Sequence, residues 1–362
     1  MWTAIVVDLL VVLVCISHYV YFPMIFQTTK LGSVRDETLL ELMKDDIGAT
    51  MAELEEMRVQ LNDKRTLSQC FKIFGLIHKV VKTHAAITRI TVEVLEDFSN
   101  DGVRYVELRT TPRIDAKHNM TQESYVEAVL KAATSILLNE FHSLEQDFTS
   151  LRIEVEIAHK TVALAKAYQT CKDRRNQGVV VGVDFSGNPH AGSFAQFRPA
   201  FEAAKKAGLR CAIHCAEIEA EDEVEDILRF GADRLGHAIV MSTNHKELLS
   251  KMGTPVEICP TSNMRTLQIL DIKQHPTLGL WLQNGHPFSI CTDDFGVFRT
   301  SLSEETRLVA TAFGLSLKQV ADISLRALEM AFIPDKDELC RLRKRFETEI
   351  NAILISQEKH EI

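Results

Sequence analysis

The sequence predicts an α/β fold of parallel strands joined by crossover helices, one strand short of a closed eight-stranded barrel. Three observations carry that expectation. Short β-prone runs alternate with helical stretches from residue 179 onward: 179–187 (VVVGVDFSG), 209–217 (LRCAIHCAE), 232–239 (ADRLGHAI), 255–263 (PVEICPTSN) and 287–294 (PFSICTDD). Repeated βα units of this length imply parallel pairing through crossover helices. Each run has polar residues at or near its end, as in a barrel whose functional loops gather on the C-terminal face. No interdomain linker, low-complexity segment or further repeat interrupts the alternation.

Composition narrows the function classes. At 362 residues and 46% hydrophobic, the chain can bury a large core. A net charge of −9 without an extended basic run argues against nucleic acid as a partner and for a small molecule. The eight cysteines form no CxxC pair, so the spacing suits reduced, buried thiols of a cytoplasmic protein.

Residues 1–31 stand apart from the remaining domain, 32–362. Between residues 2 and 26 the only charge is Asp8, and residues 5–16 are almost wholly apolar, a candidate membrane span. No basic residue precedes the run, so it lacks the start of a secretory signal. The segment reads either as an anchor over residues 2–26, the one route to a membrane location, or as a non-native exon. Residues 5–14 are expected to lie as a separate helix or span and not to replace the first strand.

Residues 33–67 have the spacing of surface helices, and 68–98 hold two amphipathic stretches with His78 and His84. A strand over 102–109 (GVRYVELR) ends in the polar turn Thr110, Thr111, Pro112 and Arg113. Helix is expected at 122–140, strand at 152–158 and helix at 159–173. Together with the runs above, this gives seven strands, starting near residues 102, 151, 179, 209, 232, 255 and 287. Helices fall at 194–207, 222–230, 246–252 and 304–312, with a helical remainder at 317–355 outside the sheet.

The strand ends supply Gly187, His214 with Glu217, His237, and the pair Asp293 and Asp294. Imidazole plus carboxylate suits a zinc-like divalent cation, whose bound water ionises near neutral pH and becomes a nucleophile. Glu217 could carry protons beside such an ion without ligating it. Each residue also has a plainer reading. Asp293 and Asp294 could open a helix, Gly187 could be a turn glycine, and His237 and His78 could be structural. The 110–113 stretch could be an ordinary turn and Arg113 a surface cation. The coincidence across successive strand ends favours the chemical reading.

The same residues carry a resemblance. His214-Cys-Ala-Glu217, Arg234-Leu-Gly-His237, residues 257–263 (EICPTSN) and 289–294 (SICTDD) resemble the adenosine/AMP deaminase family. Residues 107–113 (ELRTTPR), 183–189 (VDFSGNP) and 291–298 (CTDDFGVF) are similar to its branch acting on N6-substituted AMP. The resemblance covers about residues 32–333. It implies a (β/α)8 TIM barrel of the metal-dependent hydrolase type, monomeric, with one zinc ion held in part by His214 and Asp293. It further implies that Glu217 protonates the purine ring nitrogen and that His237 orients and deprotonates the attacking water. Asp294 and Gly187 would hold the water and the base, and His78 with Thr110, Thr111, Pro112 and Arg113 would bind the nucleotide, where an arginine suits a phosphate. The implied reaction turns N6-methyl-AMP into IMP and an amine. The rivals are adenosine deamination and an inactive purine-binding homologue.

Two departures from the family pattern stand out. The family's first strand carries a His-x-His pair of metal ligands just before a Gly-Ser, whereas residues 26–33 here read FQTTKLGS. Residues 154–159 (EVEIAH) run almost directly into helix where the family has further residues, including a substrate-contacting acid. The first departure predicts weak, labile zinc and little turnover by the chain as written.

Overall fold

The computed structural model describes residues 5–13, 24–25, 33–47, 50, 52, 74–75, 77–138, 154–170 and 180–358. One eight-stranded sheet organises them. Its strands are β1 (Ile5–Leu13), β2 (Met24–Ile25), β3 (Val103–Thr110), β4 (Val180–Gly187), β5 (Arg210–Cys215), β6 (Arg234–His237), β7 (Val256–Ile258) and β8 (Phe288–Ile290). The order is β2-β3-β1-β4-β5-β6-β7-β8. From β4 to β8 every neighbour is parallel, with helices Phe194–Lys206, Glu221–Phe230, Thr243–Met252 and Leu278–Asn284 among the connections. The βα alternation is therefore as expected, and it brings the C-terminal ends of these strands to one edge.

The apolar N-terminal run departs from expectation. β1 is neither a helix nor a span but a strand, antiparallel to both neighbours, with Leu9 opposite Thr110 of β3 and Val183 of β4. Its composition explains the outcome, because a run so rich in valine, isoleucine and leucine suits a strand inside a sheet. It fills the gap between β3 and β4, whose facing edges would otherwise expose unpaired backbone groups. The strand expected at 152–158 is likewise not formed; Glu154–Thr170 is one helix. Ala158, Val162 and Ala165 are buried along it at helical spacing, so the alanine-rich stripe decides the conformation. β2 pairs in parallel with β3 on the far side from β1. No helix among the described residues is long and apolar enough to cross a membrane.

The sheet curls, and buried charges show it. On β3, Tyr105, Glu107 and Arg109 alternate onto one face. Arg109 Nη2 donates to Glu257 Oε1 on β7 at 2.6 Å, although four strands lie between them in the ladder. In a flat sheet that separation would be roughly 24 Å. Arg234 Nη2 on β6 donates to Glu107 Oε2 at 2.6 Å, and its Nε pairs with Glu257. Glu107 also accepts from the Tyr105 hydroxyl at 2.7 Å and from the Phe332 amide at 2.7 Å. Helix Leu317–Glu329 packs against both β8 and β2, the two ends of the sheet.

The ladder makes a direct forecast for the N-terminal strand. Backbone amides of Val6 through Leu13 should be protected from hydrogen exchange to a degree comparable with those of β4. Exchange at free-peptide rates would show that β1 does not occupy the sheet.

Candidate active site

Four of the sequence-predicted residues meet at the C-terminal ends of β5, β6 and β8. His237 Nε2 lies 3.8 Å from Glu217 Oε2 and 3.9 Å from Asp293 Oδ2. The rings of His214 and His237 meet edge to face with centroids 5.0 Å apart. Gly187, His214 and Glu217 line one pocket. The backbone there is unusual: Ala216, His237, Ala238 and Asp293 all have φ between 50° and 59°. Left-handed conformations at non-glycine residues are costly and cluster where side chains must be aimed.

Two glycines are structurally required. Gly187 ends β4 at φ 110°, a conformation for glycine. Gly236 lies beside His214 in the ladder, and a Cβ there would stand 3.1 Å from His214 Cγ. A side chain at 236 would therefore crowd His214, which would have to give by a few tenths of an ångström.

His214 is held by Asp184, a fully buried acid on β4, with 3.2 Å between Nδ1 and Oδ1. Asp184 in turn lies 3.5 Å from Arg109 Nη1. An imidazole oriented by a carboxylate on its second nitrogen is the arrangement that prepares histidine to bind a metal. Asp293 accepts a 2.7 Å hydrogen bond from the Ser262 hydroxyl. Asp294 is buried at the N-cap position of the short helix Phe295–Phe298, yet its side chain makes no capping bond, so the helix-opening role does not account for it.

Among the described residues, the donor set fits a divalent ion in kind but falls short in number. His214 and Asp293 are suitable ligands. Among the described residues, the one group of three convergent donors is His237, Cys259 and Asp293, within 4.8 Å of one another. The Cys259 thiol is pushed well above its usual range, first by its contact with Cys291 and then by burial. Residues 26–32, where the family's His-x-His would fall, lie outside the described residues.

A second group gathers at the end of β3. Thr110 Oγ1 and the Tyr125 hydroxyl are 2.6 Å apart, and the Pro112 carbonyl accepts from Gln122 Nε2 at 3.1 Å. Arg113 Nη1 donates to the His78 carbonyl at 3.2 Å, and its guanidinium stands 6.0 Å from the Tyr125 ring centre. Its Nη2 is buried without a hydrogen-bond partner among the described residues. Burial pushes the Arg113 guanidinium down from its usual range. A half-buried cation with one unmatched buried donor favours an anionic ligand.

A family model described as adenosine deaminase matches residues 29–348. The chain belongs to the adenosine deaminase family. An N6-mAMP deaminase of Arabidopsis thaliana is 35% identical over 84% of this chain and 90% of the relative. The human N6-methyl-AMP deaminase is 34% identical over 78% of this chain and 81% of its own. A crystal structure of Arabidopsis ADAL complexed with IMP superposes with a TM-score of 0.79, at 35% identity, covering 91% of this chain and 98% of that one.

Several site residues escaped the sequence reading. Asp184 is a single acid in the apolar run 179–187, and that isolation was a usable signal. Asn263 and Ser262 fall within a motif already noted, but nothing in their spacing assigned them partners. His275 sits in a loop without pattern. It is buried, and burial first, then His237 and Lys246, pushes its imidazole from 6.5 down to about 4.

That depression sets a pH dependence. Between about 4 and 6.5 the unfolded chain protonates this histidine and the folded chain does not, so stability falls as pH drops through that window. The loss is on the order of 3 kcal/mol. Denaturation of the chain and of His275→Gln at several pH values checks it: the difference in stability should shrink or reverse toward pH 4, and a constant difference would contradict the assignment.

Proposed function

We propose that the chain is a hydrolytic purine nucleotide deaminase that converts N6-methyl-AMP and water into IMP and methylamine. The observation that carries the reading is the convergence of Glu217 and Asp293 within 4 Å of His237 Nε2 at the strand ends. The likeness to N6-methyl-AMP deaminases over most of the chain supplies the substrate class. The IMP complex of a related structure fits the product.

In this reading the purine lies beside Gly187 and Glu217, and Arg113 receives the phosphate. Glu217 holds the proton that goes to the ring nitrogen as the amine is displaced. His237 faces the attacking oxygen and positions it, and Asp294 helps to hold the water. His214 and Asp293 would hold zinc, which when bound supplies a water that ionises near neutral pH. With so few donors the ion should be labile, and turnover should depend on added zinc. The five free cysteines among the described residues suit a reducing, cytoplasmic setting. The thin donor set also favours a second reading, a homologue that binds purine nucleotides without catalysis.

Turnover of N6-methyl-AMP and of adenosine, in excess zinc, separates these readings. The nucleotide should be strongly preferred. Arg113→Ala should raise its KM roughly tenfold to a hundredfold, the cost of lost charged hydrogen bonds, and leave adenosine unaffected. Preference for adenosine would overturn the nucleotide assignment. IMP binding without any turnover would establish the non-catalytic reading.

A further inference from the structure

We infer that a relay from the backbone through His275 and Asn263 locks His237 as the tautomer protonated on Nε2, making it a hydrogen-bond donor to the reacting oxygen, in place of the deprotonating role that the family resemblance implied. The inference concerns hydrogen-bond direction and holds whether or not the chain turns over; its bearing on catalysis rests on the reading above. Two backbone amides fix every step, because their direction is not in question.

The first anchor is the Cys259 amide, which donates to Asn263 Oδ1 at 3.2 Å. That bond sets the carboxamide: its oxygen faces Cys259, and its Nδ2 faces His237 Nδ1 at 2.8 Å. The second anchor is the Leu278 amide, which donates to His275 Nδ1 at 3.0 Å, joined by the Thr277 amide at 3.3 Å. His275 Nδ1 must then be bare, so the proton of the neutral ring sits on Nε2. This nitrogen donates to Asn263 Oδ1 at 3.1 Å, confirming the same orientation from the other side. Burial keeps the His275 ring neutral, with its imidazole pushed down to about 4.

An NH2 group aimed at His237 Nδ1 requires a lone pair there. A neutral imidazole with a lone pair on Nδ1 carries its proton on Nε2. Nε2 is the nitrogen that faces Glu217 and Asp293, both of which are acceptors when ionised. Asn263 and His275 are thus positioning residues. They act through His237, and neither is assigned contact with the substrate.

The tautomer is read directly by long-range proton–nitrogen correlation NMR on the full chain with labelled histidine, using His237→Gln to assign the ring. The expected spectrum shows a bare Nδ1 and a protonated Nε2 at neutral pH. Asn263→Asp is close in size but presents an acceptor, so it should move the proton to Nδ1, whereas His275→Gln, which leaves the Cys259 anchor in place, should keep it on Nε2. A protonated Nδ1 in the unaltered chain, or a spectrum unchanged by Asn263→Asp, would overturn the inference. The readout needs no turnover, so loss of the deaminase reading would leave it standing.

Discussion

The burial of Arg109 between carboxylates from two other strands is the constraint from which the site follows. A guanidinium away from water is tolerable only where its charge is matched, and Glu257 and Asp184 supply the opposite charge from β7 and β4, although its Nε has no hydrogen-bond partner among the described residues. Arg234 is placed in the same way between Glu107 and Glu257. Despite the cost of its own burial, the two guanidinium groups hold the Glu257 carboxyl below the usual range, so it stays ionised. The web contains three acids and two arginines, which leaves one formal negative charge. Asp184 directs that charge at His214, so the interior ion web and the orientation of the first candidate metal ligand are one arrangement.

Much of this was legible in the sequence, and the limits have physical causes. The βα alternation is local, so β4 to β8 and their helices could be read from period and turn signals. The polar strand ends identified His214, Glu217, His237 and Asp293 because an imidazole or carboxylate closing an apolar run is conspicuous. Pairing across the curled sheet was not legible. Glu107 and Arg234 are separated by more than a hundred residues, and nothing in either run names the other. His275 carries no pattern, since its role comes from two amides and one carboxamide supplied by the fold.

The N-terminal strand shows how context overrides a local reading. An apolar run of nine or more residues is ambiguous between a buried helix and a buried strand, and its length favoured the helix. Its valine content and the open edges of β3 and β4 favoured the strand. The helix Glu154–Thr170 completes the exchange: a segment expected to contribute a strand went to the outer layer, and a distant one took the gap, in antiparallel sense because it did not arrive through a crossover helix.

Among the described residues, the ion web and the candidate proton-handling groups stand beside too few metal donors to hold zinc firmly, and weak zinc binding is what we propose for this chain. Zinc retained by the purified full chain after equilibrium dialysis tests this most directly, measured beside a variant with a His-x-His strand restored ahead of Gly32. The chain as it stands should keep well below one zinc per molecule, and the restored variant should keep one. A full equivalent of tightly held zinc in the unaltered chain would contradict the claim and require another residue in the coordination sphere.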